Sequence, residues 1–362
     1  MTGGIGAIGT GYGFNATLIA NATSVHQQLN TLTEQASTGL VADSYAGLGS
    51  GAKVSLNLNP QIAALQTYQN NIDQAAGGMQ VTQTAMTQIQ QIAANFVACI
   101  PNLNGLNPSE VDSVAANARA ALTQVADLLN TKNGDVYVFG GLDTANPPVP
   151  SSDSILSSGF YTQINAAVSA LSANGAAATT AATLAIAGSN AAGTSPFSAY
   201  MSQPASALSA PVVQTGEDST VKTGLLASAN SVAVSTGTST TGSYMRDLMR
   251  ALATLGSMSS SQVNDPNFGA LVQDTGNSLN GVVSAMATDV GVLGNTQSNL
   301  TTTQTNLSDT ATALTGQVSS VQDADMASTL SKLAATQTQL QESYRLITSA
   351  NSLSLVNFLP AA

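Results

Sequence analysis

Residues 3–13 read GGIGAIGTGYG, and within them Gly4, Gly6 and Gly9 take the G-x-G-x-x-G spacing of a turn that cradles a dinucleotide pyrophosphate. That chemistry needs a strand feeding the turn, a helix leaving it, and a carboxylate roughly twenty residues on for the ribose. Only three residues precede Gly4, and Thr23, Ser24, Val25 and His26 stand where the acid should be, with none before Glu34. No cofactor is expected. His26 is the one histidine and lies in a helical pattern beside Val25, so it reads as a solvent-facing residue rather than a member of a triad or a multi-histidine metal site. Cys99, the one cysteine, follows Ile92, Phe96 and Val97 and reads as a small buried hydrophobe. Asp323 and Asp325 in VQDADM suit helix capping, and Glu217 and Asp218 suit a solvated turn. Asp323 and Asp325 could alternatively be half of a carboxylate site, but Glu217 and Asp218 have no acid/base partner in sequence, so catalytic and metal sites are both expected to be absent and the chain is not read as an enzyme.

Composition bears on partners. Of 362 residues only 7% are charged, Lys+Arg 8 against Asp+Glu 19, for a formal net charge of −11, with no Trp. The eight cations are scattered from Lys53 to Arg345, so no basic patch is available for nucleic acid or an anionic membrane. Gln, Asn, Ser, Thr, Ala and Gly must form the surface, which suits packing against copies of the same chain, although a solenoid or a partly disordered polar protein has the same composition. No stretch reaches eighteen uninterrupted apolar residues, so no membrane insertion is expected. The amino terminus lacks Lys or Arg before its apolar run, which makes a poor cleaved signal.

Periodicity supplies the elements. Leu18, Ala22, Val25, Leu29, Leu32, Ala36 and Gly39 alternate steps of four and three, the spacing of a coiled-coil seam. The same spacing runs from Ile62 through Ile72, Met79, Met86 and Ala93 to Ile100, with Gln69, Gln83 and Gln90 on the seam. Residues 37–51, STGLVADSYAGLGSG, must connect the two runs as a turn or extended segment. Near the other end the spacing holds over five heptads, from Met286 through Leu293, Leu300, Leu307 and Leu314 to Val321. Beyond Asp323 and Asp325 it resumes one residue out of phase as Met326, Leu330, Leu333, Gln337, Leu340, Tyr344 and Ile347, which places a hinge near 322–326. Isolated helices are marginal in water, so the amino-terminal helices should pair with the carboxyl-terminal ones.

The middle differs. DVYVFGG (135–141) reads as a short strand before the breaker ANPPVP, and residues 210–234 read as two β-like segments around a Gly-Glu-Asp-Ser turn. Helical patterns occupy 154–171 and 244–256, and the Ala/Gly/Ser-rich stretch 172–196 reads as loop.

Three segments carry a family resemblance: QLNTLTEQASTGL (28–40), YQNNIDQAAGGMQVTQTAMTQI (68–89) and VQDADMASTLSKLAATQTQLQESYRLITSANSLSLVNFL (321–359). They occur in the order found in the flagellin family, which the chain therefore resembles over about 200 positions including 281–320. The resemblance implies a mainly α fold, a long antiparallel coiled-coil and helical-bundle rod built from both termini with a small α/β insertion in the middle. It divides the chain into a terminal core segment (1–40 and 325–362), a bundle (41–134 and 275–324) and an outward-facing insertion (135–274). It further implies an uncleaved, exported, extracellular subunit of the bacterial flagellum, whose partners are copies of itself, the hook-junction and cap proteins, and an export chaperone. Glycines at 3–13 would then delay ordering of the exported chain.

The assembly seam expected on this basis is Leu18, Val25, Leu29, Leu32, Leu293, Leu300, Leu307, Leu314, Leu330, Leu333, Leu340, Ile347 and Phe358, with the hinge at Asp323 and Asp325. VFGGLDTANPPV (138–149) and SLSLVNFL (352–359) are similar to segments of the family's hook-filament junction proteins, whereas the neutral small-residue composition suits the repeated filament subunit, which is favoured. An adhesion module reading glycans through a groove near Phe160, Tyr161 or Tyr200 is the remaining alternative. Residues 93–100, AANFVACI, lack the Arg and Glu that an innate immune receptor recognises in many flagellins, so weak stimulation of that receptor is expected.

Overall fold

The computed structural model describes residues 10–103 and 107–352, and the chain divides into two compact units, 66–308 and 1–65 with 309–362. Eight α-helices account for most of the described residues. They are α1 (Thr10–Thr38), α2 (Gly51–Leu103), α3 (Pro108–Leu129), α4 (Gly159–Ser169), α5 (Leu171–Gly188), α6 (Tyr244–Gly256), α7 (Phe268–Gln322) and α8 (Met326–Ser352). The strands pair only as hairpins, β1 (Lys132–Asn133) with β2 (Val136–Tyr137) and β3 (Val212–Gln214) with β4 (Thr220–Lys222), both antiparallel.

In the first unit α1 lies along α8. Gly39 ends α1 in the left-handed region at φ 74, a conformation that costs glycine little. The chain then crosses the α7–α8 break: Leu40 bridges Asp323, Val41 N–H donates to the Gln322 carbonyl at 2.8 Å, and Ala324 N–H donates to the Gly39 carbonyl at 2.8 Å. Gly51, at the start of α2, faces Val321, where a side-chain carbon would sit 3.0 Å from its Cβ.

In the second unit α2 and α7 run antiparallel in a constant register. Gln304 Nε2 donates to Asp73, and one heptad along, Gln297 Nε2 donates to Gln80 Oε1 at 3.0 Å. Ile72, Met79, Met86, Ile89 and Ala93 of α2 are buried, as are Leu279, Met286, Leu293 and Leu300 of α7, and all belong to one core. The three seam glutamines of α2 are half-buried. At roughly 1.5–3 kcal/mol per fully buried large aliphatic side chain, this stripe supplies the stability that helix propensity alone lacks.

Around that pair α3, α4, α5 and α6 close a core in which α6 is buried at every one of its 13 residues. Asn107 caps α3 ahead of Pro108, Ser158 caps α4 and Ser243 caps α6, each side chain accepting a backbone N–H of the first turn.

One expectation is overturned here: the Ala-rich stretch from 172 is not loop but α5 as far as Gly188. Alanine is the strongest helix former, and Gly175, at φ 78 inside the element, absorbs a kink that a side chain would resist. The expected strand at 135–141 contracts to Val136–Tyr137, whereas Thr215–Ser219 turns between β3 and β4 where the acidic turn was placed.

Candidate assembly surface

The candidate surface is built on the first unit. On α1, Ala22, Val25 and Leu32 are buried and Leu18, Leu29 and Ala36 half-buried. On α8 the residues facing them are Thr329, Leu333, Thr336, Leu340, Ser343 and Ile347, in alternating steps of four and three. This differs from the expected phase. Leu333, Leu340 and Ile347 sit on the seam as read, but Thr329, Thr336 and Ser343 fill the positions expected of Leu330, Gln337 and Tyr344. The helix is turned by about 50°, half of one residue's step around its axis.

The apolar residues displaced by that rotation remain on the surface: Leu330 is 51% exposed and Tyr344 52%. They form a heptad row with Gln337 on one flank of the seam, Leu346 lies exposed on the other flank, and Ile19 is exposed beside the seam of α1. A two-helix seam needs apolar residues at two positions per heptad; apolar residues at the flanking positions suit packing among more than two helices.

At the junction, Asp325 Oδ1 accepts the N–H groups of Ala327 at 3.0 Å and Ser328 at 3.1 Å, capping α8. Asp323 instead closes the bridge to Leu40. Gln35 Nε2 donates to the Val41 carbonyl at 2.8 Å, which holds the crossing chain against the end of α1. The Glu34 carboxyl is raised above its ordinary range, first by its hydrogen bond to Asp43 and then by that carboxylate's charge.

Other seam residues lie along α7. Leu293 and Leu300 are buried, and Leu307 and Leu314 half-buried. Phe358 falls outside the described residues, as do Gly4, Gly6 and Gly9. His26 is exposed and its Nδ1 lies 3.4 Å from Asn30 Nδ2. Cys99 is half-buried rather than enclosed. Phe160 and Tyr161 are core residues, with the Tyr161 hydroxyl donating to the Gly256 carbonyl at 2.9 Å, so neither lines an open groove; Tyr200 is half-buried. Among the described residues no group of three or more His, Cys, Asp or Glu side chains is placed to hold a metal, and no helix is long and apolar enough to cross a membrane.

Sequence reasoning missed the charged groups of the middle region. Asp289, fully buried on α7, accepts the N–H groups of Ser231, Val232 and Ala233 at 2.7, 2.9 and 2.8 Å. Arg246 of α6 donates to the carbonyls of Ala187 and Ser189 and to Asn190 Oδ1. These groups fix loops, and they line two separate cavities rather than converge on one. The available signal was the isolation of each charge within an otherwise neutral stretch.

Together these features define a mainly α-helical protein whose first and last described helices, α1 and α8, pair with each other. Residues 13–144 match the bacterial flagellin N-terminal helical region and residues 277–359 the bacterial flagellin C-terminal helical region, together more than half of the chain. No curated protein matches the chain. Among solved structures, a chain described as a flagellar hook-associated protein from Vibrio parahaemolyticus aligns at 10% identity over 77% of this chain and 99% of its own, with a TM-score of 0.51. At that identity the likeness is one of fold. The chain belongs to the flagellin family, and it is a flagellar structural protein. The family is structural rather than enzymatic and forms part of the flagellum.

Proposed function

We propose that the chain is the repeating subunit of the flagellar filament, exported and assembled from copies of itself. The observation that carries this reading is the doubled apolar character of the terminal pair: one face of α8 closes on α1, and Leu330, Tyr344 and Leu346 remain outward on its flanks. Heterologous contacts between such pairs do not close into a ring and so propagate a helix. In this arrangement residues 1–40 and 325–362 form the innermost layer, 41–134 and 275–324 the bundle around it, and 135–274 the outer insertion. A composition with 7% charged residues leaves a surface that packs against its own kind.

The second reading is a hook-filament junction protein, favoured by VFGGLDTANPPV at 138–149. Copy number decides between them. In filaments sheared from cells and quantified by mass spectrometry against the hook protein, the filament subunit is in large excess, whereas a junction protein is present at about one ring of copies per hook. Partners at the two ends of the polymer, the hook-junction and cap proteins, and an export chaperone follow from the same reading.

A further inference from the structure

α5 and α6 pack antiparallel, and two sets of hydrogen bonds give their register. Arg246 Nη1 donates to the Ala187 carbonyl at 3.0 Å, and four residues further along α6, Arg250 Nη1 donates to Thr183 Oγ1 at 3.4 Å, four residues back along α5. The next step of four brings Thr254 opposite Thr179. Both threonines are 1% exposed, and the hydroxyl of each has no hydrogen-bond partner in the protein. The third such atom is Arg250 Nε, one helical turn from Thr254 on the same face of α6. The rest of that guanidinium is committed, with Nη2 donating to the Ser239 carbonyl at 3.0 Å and to Ser278 Oγ at 2.9 Å and Nη1 lying 3.7 Å from Asp274 Oδ2.

Three orphaned polar atoms within one turn of one helix interface are not an accident that folding tolerates cheaply, since a buried unpaired donor or acceptor carries its full desolvation penalty. We propose that Thr179 Oγ1, Thr254 Oγ1 and Arg250 Nε hold a single structural water between α5 and α6. The water accepts from Arg250 Nε–H and donates to the two hydroxyls, giving three hydrogen bonds, the usual number for a buried water. An anion is the other species that would accept from Arg250. Asp247 and Asp274 already stabilise the charge of this guanidinium, so a further negative charge would meet two carboxylates.

The test is a double-mutant cycle in the full chain, using Thr179→Val, Thr254→Val and both together, with denaturant unfolding followed by tyrosine fluorescence and a density map that shows ordered solvent. With a bridging water, each single variant lowers the unfolding midpoint because its loss orphans the other two atoms, and the double variant lowers it no further than the worse single. The map then shows one peak within hydrogen-bond distance of all three atoms. If the hydroxyls are dry, valine relieves an unpaired group, and both singles raise the midpoint or leave it unchanged; that result overturns the proposal. Coupling without a density peak means the hydroxyls bond to each other and also overturns it, as does an anomalous peak at the site after a bromide soak.

Discussion

Single residues in the middle region act as clamps on backbone, and their removal has a defined cost. The Asp289 carboxylate takes three consecutive N–H groups of the 231–233 loop where it meets α7. Asp289→Ala strips all three partners at once and should lower unfolding free energy by about 3 kcal/mol, since hydrogen bonds to charged groups are worth roughly 1.5–3 kcal/mol each. Denaturant unfolding measures the loss; a change below about 1 kcal/mol would mean the loop holds itself. Thr336 shows the reverse case. It occupies a seam position facing α1 at 4% exposure, where an aliphatic side chain would fit the pairing better than a hydroxyl. Thr336→Val should strengthen the α1–α8 pair by about 0.8 kcal/mol, the value of one buried methylene, read as slower amide exchange along both helices.

At the scale of elements, the two ends of the chain were legible because their repeats are long and regular. Every seam residue read on α2 from Ile62 to Ile100, and on α7 from Met286 to Val321, is buried or half-buried. α8 was legible as a helix but not in its phase, because Thr329, Thr336 and Ser343 face the partner while leucine and tyrosine face outward, and a pattern reading puts the larger apolar residue inside. α5 was illegible for a different reason: glycine and serine among its alanines signal a break, and only the packed structure shows that the break is a kink. The α6 sequence YMRDLMRALATLG reads as a helix, but nothing in it shows that Arg246, Asp247 and Arg250 are buried, Arg246 against the distant Ala187 carbonyl and Asp247 and Arg250 against the loop just before the helix. The corrected phase of α8 separates folding from assembly. Leu340→Asp places a charge inside the α1 pairing and should disrupt the terminal pair itself, whereas Leu330→Asp and Tyr344→Asp should leave that pairing intact and abolish polymerisation, seen as a sedimenting species reduced to monomer. Fibres formed by Leu330→Asp would remove the flanking row from the assembly surface. The crossing after α1 carries a pH effect of definite sign. Glu34 has a raised folded-state value, so its contribution is present below the ordinary glutamate range and is lost as pH rises through the folded value. The protection factor of the Val41 amide, with the intrinsic pH dependence of exchange divided out, should therefore fall as the solution goes from acid to neutral, and Glu34→Gln, which donates to Asp43 at any pH, should remove that dependence.

For the molecule as a whole, the charge balance fixes how association responds to salt. A formal charge of −11 with only eight cations means that identical copies repel at neutral pH, and the surface offers few partners for ion pairs between them. Just two ion pairs are formed among the described residues, Arg250 with Asp274 and Arg345 with Glu342, and the second joins neighbours on one exposed helix face. Attraction between copies must then come from apolar area such as the flanks of α8, which salt does not screen. Sodium chloride should accordingly speed polymerisation by screening the repulsion, with the gain levelling off as the screening length falls from about 10 Å at 0.1 M towards about 3 Å at 1 M. Sulfate at equal ionic strength should speed it further, because its exclusion from protein surface strengthens apolar burial. Light scattering against salt type and concentration reads both effects. A polymer held by ion pairs would behave in the opposite way, dissolving as sodium chloride rises, and that outcome would move the assembly surface away from the apolar flanks of the terminal helices to the few charged positions along them.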